Sequence, residues 1–293
     1  MRTIYRKKQN LNLKDYVLRS ALESDYEELV TEDTIVIDED SKEIVAVYTQ
    51  LEGSTKEIMR ALETIKYSVG TRTNGLKTTS RIFGYTPRVA IRNDFCSATS
   101  LAVESPKEHA IICNHAKKMA QMYSDFSEET YKKHLDTAES RVLEDYRIEG
   151  TPFTSGIINK NNPLKYHFDS GNFKSVYSAM AVFKYKIKGG HLAMPQYNIA
   201  FECADNTAMM FDGQEILHGV TPIKRESESS RRYSIVYYSL RQIWNCLPLD
   251  EEVARVRQRK YKVAQNRLTD KDRLKALDEE LVGDLKETAP EKE

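Results

Sequence analysis

Hydrophobic positions along the first half of the chain alternate between strand-like and helix-like spacing. Thr34-Ile35-Val36-Ile37 and Ile44-Val45-Ala46-Val47-Tyr48 are β-branched runs separated by the turn-forming Asp38-Glu39-Asp40-Ser41, which predicts a hairpin. In residues 54–69, Ile58, Leu62 and Ile65 recur at helical spacing, with Ser54 placed as an N-cap. Residues 70–87 are rich in Gly, Thr, Ser and Arg and read as irregular loop. Residues 106–122 and 128–146 are amphipathic helical patterns, the first with Ala110, Ile111, Cys113 and Met119 on its apolar positions.

The pattern changes after Gly150. Short apolar runs at 155–159, 176–187, 191–194, 199–202, 208–211 and 233–239 are cut by Asn161-Asn162-Pro163, Gly189-Gly190, Asp205-Asn206 and Asp212-Gly213, all residues that tolerate turn geometry. Strands this short and this regularly spaced predict two packed sheets. The expected class is α+β: a double-stranded β-helix (jelly-roll) core at about 154–240, flanked by N-terminal helices. In the charged tail, 251–267 and 271–285 read as surface helices, and the end through Ala289-Pro290 as disordered.

Composition narrows the function. Lys+Arg and Asp+Glu both total 44, so any contact with nucleic acid must come from a local patch and not from a global field. Cys96, Cys113, Cys203 and Cys246 show no CxxC pair, which excludes a zinc ribbon and reads as reduced, buried thiols. The basic start reads as a solvated end. No secretory signal or membrane-length apolar run is visible, so the expectation is a soluble intracellular protein, cytoplasmic or nuclear, with no membrane partner.

Candidate chemistry centres on His167-Phe168-Asp169. Two ligand-type side chains at i and i+2 of a strand share a face, and His218 can supply a third ligand from elsewhere in the fold. Two imidazoles and one carboxylate leave open positions on a metal, the arrangement of non-haem Fe(II) oxygenases, which bind a co-substrate and O₂ there. Downstream, Arg232 and Ser234 share a face by the same period. A planar guanidinium beside a hydroxyl suits one carboxylate of a dicarboxylate such as 2-oxoglutarate. Arg231 points to the other face.

The run Gly189-Gly190-His191-Leu192-Ala193-Met194-Pro195-Gln196-Tyr197, then Phe211-Asp212, Leu217-His218-Gly219-Val220-Thr221-Pro222-Ile223 and Arg232-Tyr233-Ser234, resembles the core of the TET/JBP family of DNA base dioxygenases. The likeness is strong over about 154–240 and weaker back to Gly70. It implies Fe(II), 2-oxoglutarate and O₂ as cofactors, with His167, Asp169 and His218 as metal ligands and catalytic centre, and Arg232, Ser234 and Asn159 at the co-substrate.

The resemblance also implies hydroxylation of the 5-methyl group of a pyrimidine in DNA. 5-Methylcytosine is favoured over thymine because Asp169-Ser170-Gly171-Asn172 completes HxDxxN, with Asn172 as the base contact. The base must be flipped out or single-stranded to reach a buried metal. Phe83, Tyr85, Phe168 and Phe173 are candidates to stack on it. Arg81, Arg88 and Arg92, with Arg72 and Lys77, would contact phosphates. The resulting division is an N-terminal α/β extension over 1–70, a dioxygenase region over 71–249 and the tail over 250–293. Three alternatives stay open: a hydroxylase of a protein side chain or small metabolite, an inactive nucleic-acid-binding relative, and a zinc-binding jelly roll.

Overall fold

The computed structural model describes residues 1–71, 77–88 and 95–287. In chain order the elements begin with β1 (Arg2–Arg6), β2 (Glu28–Val30), β3 (Thr34–Asp38), β4 (Ile44–Gln50), α1 (Lys56–Thr64), β5 (Ser68–Thr71), β6 (Lys77–Thr86) and β7 (Ser97–Ala98). The helices α2 (Ser100–Glu104), α3 (Pro106–Phe126) and α4 (Glu128–Arg141) follow, then β8 (Ser155–Lys160), β9 (Ser178–Tyr185), β10 (Ile187–Gly189), β11 (Leu192–Met194) and β12 (Ile199–Phe201). The last are β13 (Thr207–Phe211), β14 (Gly219–Val220), β15 (Ile223–Arg225), β16 (Arg231–Tyr238) and α5 (Leu249–Glu287). The chain divides into two units, Met1–Cys246 and Leu247–Glu293.

Among the described residues of the first unit, the larger sheet runs β1-β3-β4-β13-β9-β16-β8-β6-β5, with β7 on β6, and the smaller runs β14-β11-β12-β2. Period-2 alternation sorts each central strand of the larger sheet into two faces. On β9, Ala179, Ala181 and Phe183 join a cluster with Ile58, Leu62, Ile112 and Met119 from α1 and α3. Met180 and Val182 face the opposite way, toward Leu192, Met194, Ile199 and Phe201 of the smaller sheet. The larger sheet is therefore covered by helices on one face and by the second sheet on the other, which is the expected α+β jelly roll.

Several expectations are corrected. The basic start is not a loose end: β1 pairs in parallel with β3, and both Arg2 and Arg6 ion-pair with Glu28. Residues 1–70 supply β1 to β4 and most of β5 to the two sheets, with β4 on β13 and β2 on β12. Part of the supposed loop at 70–87 is the β5–β6 hairpin; its Thr and Ser residues, poor evidence for a strand on their own, pair into the sheet edge along β8.

Cys96 and Cys246 are not free thiols but a disulfide, their Cα atoms 5.7 Å apart although 150 residues separate them. A pair so distant leaves no spacing signature in the sequence. Cys113 and Cys203 are free. In the second unit, α5 is one continuous helix where two were expected. The residues around Ala289-Pro290, expected to be disordered, lie outside the described residues. Among the described residues, no helix is long and apolar enough to cross a membrane.

Candidate metal centre and adjoining cavity

His167 and Asp169 lie on irregular backbone and not on the expected strand, yet their side chains converge as the i, i+2 argument required. The reason is a single two-way bridge. His167 N–H donates to the His218 carbonyl (2.9 Å) and His218 N–H to the His167 carbonyl (3.2 Å), which brings the two imidazoles together. The ring centroids are 4.4 Å apart. Nε2 of His167 is 3.6 Å from Asp169 Oδ1, and Nε2 of His218 is 3.9 Å from Oδ2. The three ligand atoms all lie within 4.8 Å of one another, close enough to hold one cation.

Both rings are oriented by local backbone. His167 Nδ1 is 2.8 Å from the Lys165 carbonyl and His218 Nδ1 is 2.9 Å from the Ile216 carbonyl. A carbonyl can only accept, so each Nδ1 carries the proton and each Nε2 presents a lone pair to the metal position. Phe211 packs edge-on against His218, with centroids 4.8 Å apart. Asp169 is tied by its N–H to the Gly213 carbonyl (2.8 Å). A Cβ on Gly213 would meet Asp169 Oδ2 at 2.5 Å, closer than real contacts allow. Gly213, read from sequence as turn chemistry alone, is thus the floor beneath the carboxylate. Gly213→Ala should weaken Fe(II) affinity by about 10- to 100-fold, the usual cost of disturbing a residue that orients a ligand. Fe(II) titration of the purified variant checks this, and wild-type affinity would mean the carboxylate has room to shift.

The triad opens into a cavity of about 340 Å³. Its lining from the larger sheet includes Ile157 and Asn159 of β8, Met180 of β9 and Ser234 and Val236 of β16; the smaller sheet contributes Leu192 and Val220. Asn159 and Ser234 lie directly opposite each other in the β8–β16 register. Asn159 Oδ1 accepts from Asn162 Nδ2 (3.1 Å), and Asn162 is itself clamped to the Thr79 backbone. The Asn161-Asn162 turn therefore positions the site as well as reversing the chain: Asn161 Oδ1 also accepts the Arg232 N–H (2.8 Å).

Arg232 points to the same face of β16 as Ser234 and is 1 % exposed. Its Nε and Nη2 have no hydrogen-bond partner. Burial pulls its guanidinium below the usual pKa, while the neighbouring Cys203 thiol is pushed up. A buried guanidinium without a carboxylate is costly, so these two unpaired donors fit one end of a dicarboxylate. A Cβ on Gly190, at φ +72°, would lie 3.0 Å from Arg232 Nε, so glycine both permits the backbone turn and leaves room for the guanidinium. Arg231 faces away and pairs with Glu63 at 2.7 Å.

Asn172 lines the same cavity, 8 % exposed, with Nδ2 donating to Ser178 Oγ at 3.0 Å. Beneath it, the Phe173 N–H donates to the Ser239 carbonyl, and Ser239 Oγ is 2.9 Å from His134 Nε2. Burial pushes His134 down to about 3, so it stays neutral at physiological pH. Of the four aromatic candidates, Phe168 lines the cavity; Phe83 and Phe173 are buried in hydrophobic clusters, and Tyr85 packs against Tyr146.

Of the basic stretch, the described Arg81 and Arg88 do not line the cavity. In the β6–β8 register Ile82 lies opposite the cavity-lining Ile157, whereas Arg81 is opposite Ile158, so Arg81 points to the helix face, where it pairs with Glu104 at 2.6 Å. Arg88 is half-buried and already engaged. Arg72 and Arg92 lie outside the described residues, and the Lys77 side chain is not described.

Residues 88–241 match the Tet_JBP family, described as the oxygenase domain of the 2OGFeDO superfamily. Among curated relatives, the bifunctional helicase and thymine dioxygenase JBP2 of Trypanosoma brucei brucei is 25% identical over 74% of this chain and 20% of that protein. JBP2 of Leishmania braziliensis is 27% identical over 72% and 20%, and thymine dioxygenase JBP1 of Trypanosoma brucei brucei is 26% identical over 49% and 17%. The chain thus spans about a fifth of the length of these relatives. The solved structure of NgTET1 in complex with 5mC DNA superposes with a TM-score of 0.51 at 15% identity, covering 75% of this chain and 84% of that one, which shows the shared fold.

Proposed function

Since the chain belongs to the Tet_JBP family of Fe(II)- and 2-oxoglutarate-dependent dioxygenases, we propose that it hydroxylates the 5-methyl group of a pyrimidine base in DNA. The observation that carries the reading is one cavity that joins the His167–Asp169–His218 triad to Ser234, Asn159, Asn172 and an apolar lining. Fe(II), 2-oxoglutarate and O₂ together supply the oxidising equivalent for a C–H bond held beside them.

The protein's part is placement. His167, Asp169 and His218 hold the metal, their rings fixed by the Lys165 and Ile216 carbonyls. Arg232 and Ser234 hold the distal carboxylate of the co-substrate, and Asn159 contacts its body. Leu164, Met180, Leu192 and Val220 surround a methyl group better than a charged or heavily hydrated one. Asn172, restrained by Ser178, offers its remaining amide capacity to the pairing edge of the base, and Phe168 offers a ring face. The cavity admits a nucleotide only as a single strand or a flipped base.

Two bases fit this chemistry. HxDxxN favours 5-methylcytosine, and the relatives' printed activity on thymine supports the other. Nucleoside mass spectrometry after incubation with Fe(II), 2-oxoglutarate, O₂ and either unmodified or 5-methylcytosine-bearing DNA decides between them. The expected product is one base gaining a single oxygen atom, dependent on 2-oxoglutarate. Succinate accumulation with both DNAs unchanged, stimulated instead by a peptide or metabolite, would sink the DNA reading. In the same assay Asn172→Ala should lower base oxidation about 10-fold or more while 2-oxoglutarate decay without DNA is preserved. Equal losses would remove Asn172 from the base contact.

A further inference from the structure

Resting on the DNA reading above, we infer that the protein takes its DNA as a single strand and holds the base next to the target in a second pocket, which shares Phe168 with the catalytic cavity. This pocket has a volume of about 550 Å³ and is lined by Phe168, Gln196 and Gln214 together with the segment from Lys8 to Leu11. The segment is fastened there by the Gln9 N–H, which donates to the Gln196 carbonyl at 2.7 Å. The Gln196 side chain is the telling feature. The residue is only 3 % exposed, and its Oε1 accepts the Leu217 N–H at 2.5 Å. A backbone N–H can only donate, so the amide has one orientation, and its Nε2 is left with no hydrogen bond to any described residue. Gln214 is fixed in the opposite sense. Its Nε2 donates to the Asn172 carbonyl, which leaves Oε1 without a donor among the described residues. The pocket therefore presents one fixed donor and one fixed acceptor, and a nearly buried donor left unmade is costly unless a ligand takes it.

The chemistry of the lining selects the ligand. Its two ionisable groups, Lys8 and Glu215, are of opposite sign, so a neutral polar group suits it better than a phosphate. A donor and an acceptor beside the Phe168 ring, with Leu11 and Leu13 adding apolar surface, match a nucleobase, whose pairing edge carries acceptor and donor atoms side by side and whose face stacks on aromatic rings. That edge is free only when the base is unpaired. The target base must be unpaired as well, and two adjacent unpaired nucleotides amount to a single strand. The Gln214–Asn172 hydrogen bond joins the second pocket directly to the residue proposed to contact the target.

The test uses the full chain and oligonucleotides carrying a single oxidisable base, either 5-methylcytosine or thymine. Each is presented as a single strand, as the paired duplex, and as a single strand with an abasic residue on the 5′ or the 3′ side of the target. Wild-type kcat/KM for base oxidation should be more than ~10-fold higher on the single strand than on the duplex, since two bases must otherwise be unpaired. An abasic neighbour on one of the two sides should cost about 10-fold, the loss of one stacked base. Gln196→Met keeps the side-chain length and removes the donor, and it should bring that abasic penalty close to unity. The penalty is a ratio within one variant, so a change at the metal through Leu217 and His218 cancels from it. Asn10→Met, at an exposed position lining the same pocket, should reduce the penalty too, and it carries the test if Gln196→Met does not fold. DNA oxidation that tolerates abasic neighbours on both sides overturns this pocket and leaves the function standing, as does a wild-type penalty in the folded variants. Equal rates on duplex and single strand overturn the single-strand assignment. Absence of oxidation on every DNA overturns the function, and this inference with it.

Discussion

His167→Ala and Asp169→Ala are each expected to cut 2-oxoglutarate turnover by more than ~100-fold while leaving the fold intact. Loss of a residue that merely orients a ligand already costs about 10- to 100-fold, and losing the ligand itself costs more. Stability is spared because neither side chain is a packing element: both are 25 % exposed and face the cavity. The backbone bridge between His167 and His218 uses main-chain groups that alanine retains. Succinate formation and Fe(II) titration read the first effect, and thermal melting reads the second. A melting temperature within about 2 °C of wild type corresponds to no more than ~1 kcal/mol for a domain of this size. Unfolding of both variants would make the triad structural.

The second large effect lies at Arg232 and has opposite signs for binding and stability. Arg232→Met should raise the KM for 2-oxoglutarate more than ~100-fold, since it removes the two buried donors with no other partner. The same change should stabilise the protein in the absence of co-substrate by roughly 1–4 kcal/mol, because an uncompensated buried charge is exchanged for a side chain of similar length that packs. Wild-type protein should in turn gain about 2.7 kcal/mol at 2-oxoglutarate concentrations 100-fold above Kd, and the variant nothing. Melting curves with and without 2-oxoglutarate, beside steady-state kinetics, measure all three. An unchanged KM would refute the carboxylate assignment. A lower melting temperature with wild-type KM would make Arg232 a packing residue.

These predictions show where sequence was informative. Period 2 placed Arg232 and Ser234 together and Arg231 apart, and the structure agrees because β16 is buried on both faces and cannot slip register. The same rule brought His167 and Asp169 to one face although they are not on a regular strand. Helix patterns at 106–122 and 128–146 hold as α3 and α4, with the second giving way to a 3-10 turn at Glu144–Tyr146. What failed were segments whose partners lie far along the chain. Nothing local marks Ser68–Thr71 as a strand until Lys77–Thr86 pairs with it, or Arg2–Arg6 until Thr34–Asp38 does.

By itself the sequence determined the class of fold and singled out His167, Asp169 and His218 as candidate ligands and Arg232 with Ser234 as a candidate carboxylate clamp, because each is written in local periodicity or in the chemistry of a short motif. Tertiary structure alone decided which glycine makes room for Asp169, which asparagines clamp Asn159 and Arg232, that Cys96 meets Cys246, and that Arg81 turns from the cavity toward Glu104. Apart from the Asn162–Asn159 bond, whose own geometry is fixed by the Thr79 backbone 83 positions away, those facts depend on contacts between residues 23 to 150 positions apart. A chain encodes such contacts in the summed burial and pairing of its elements, and no single stretch of sequence records them.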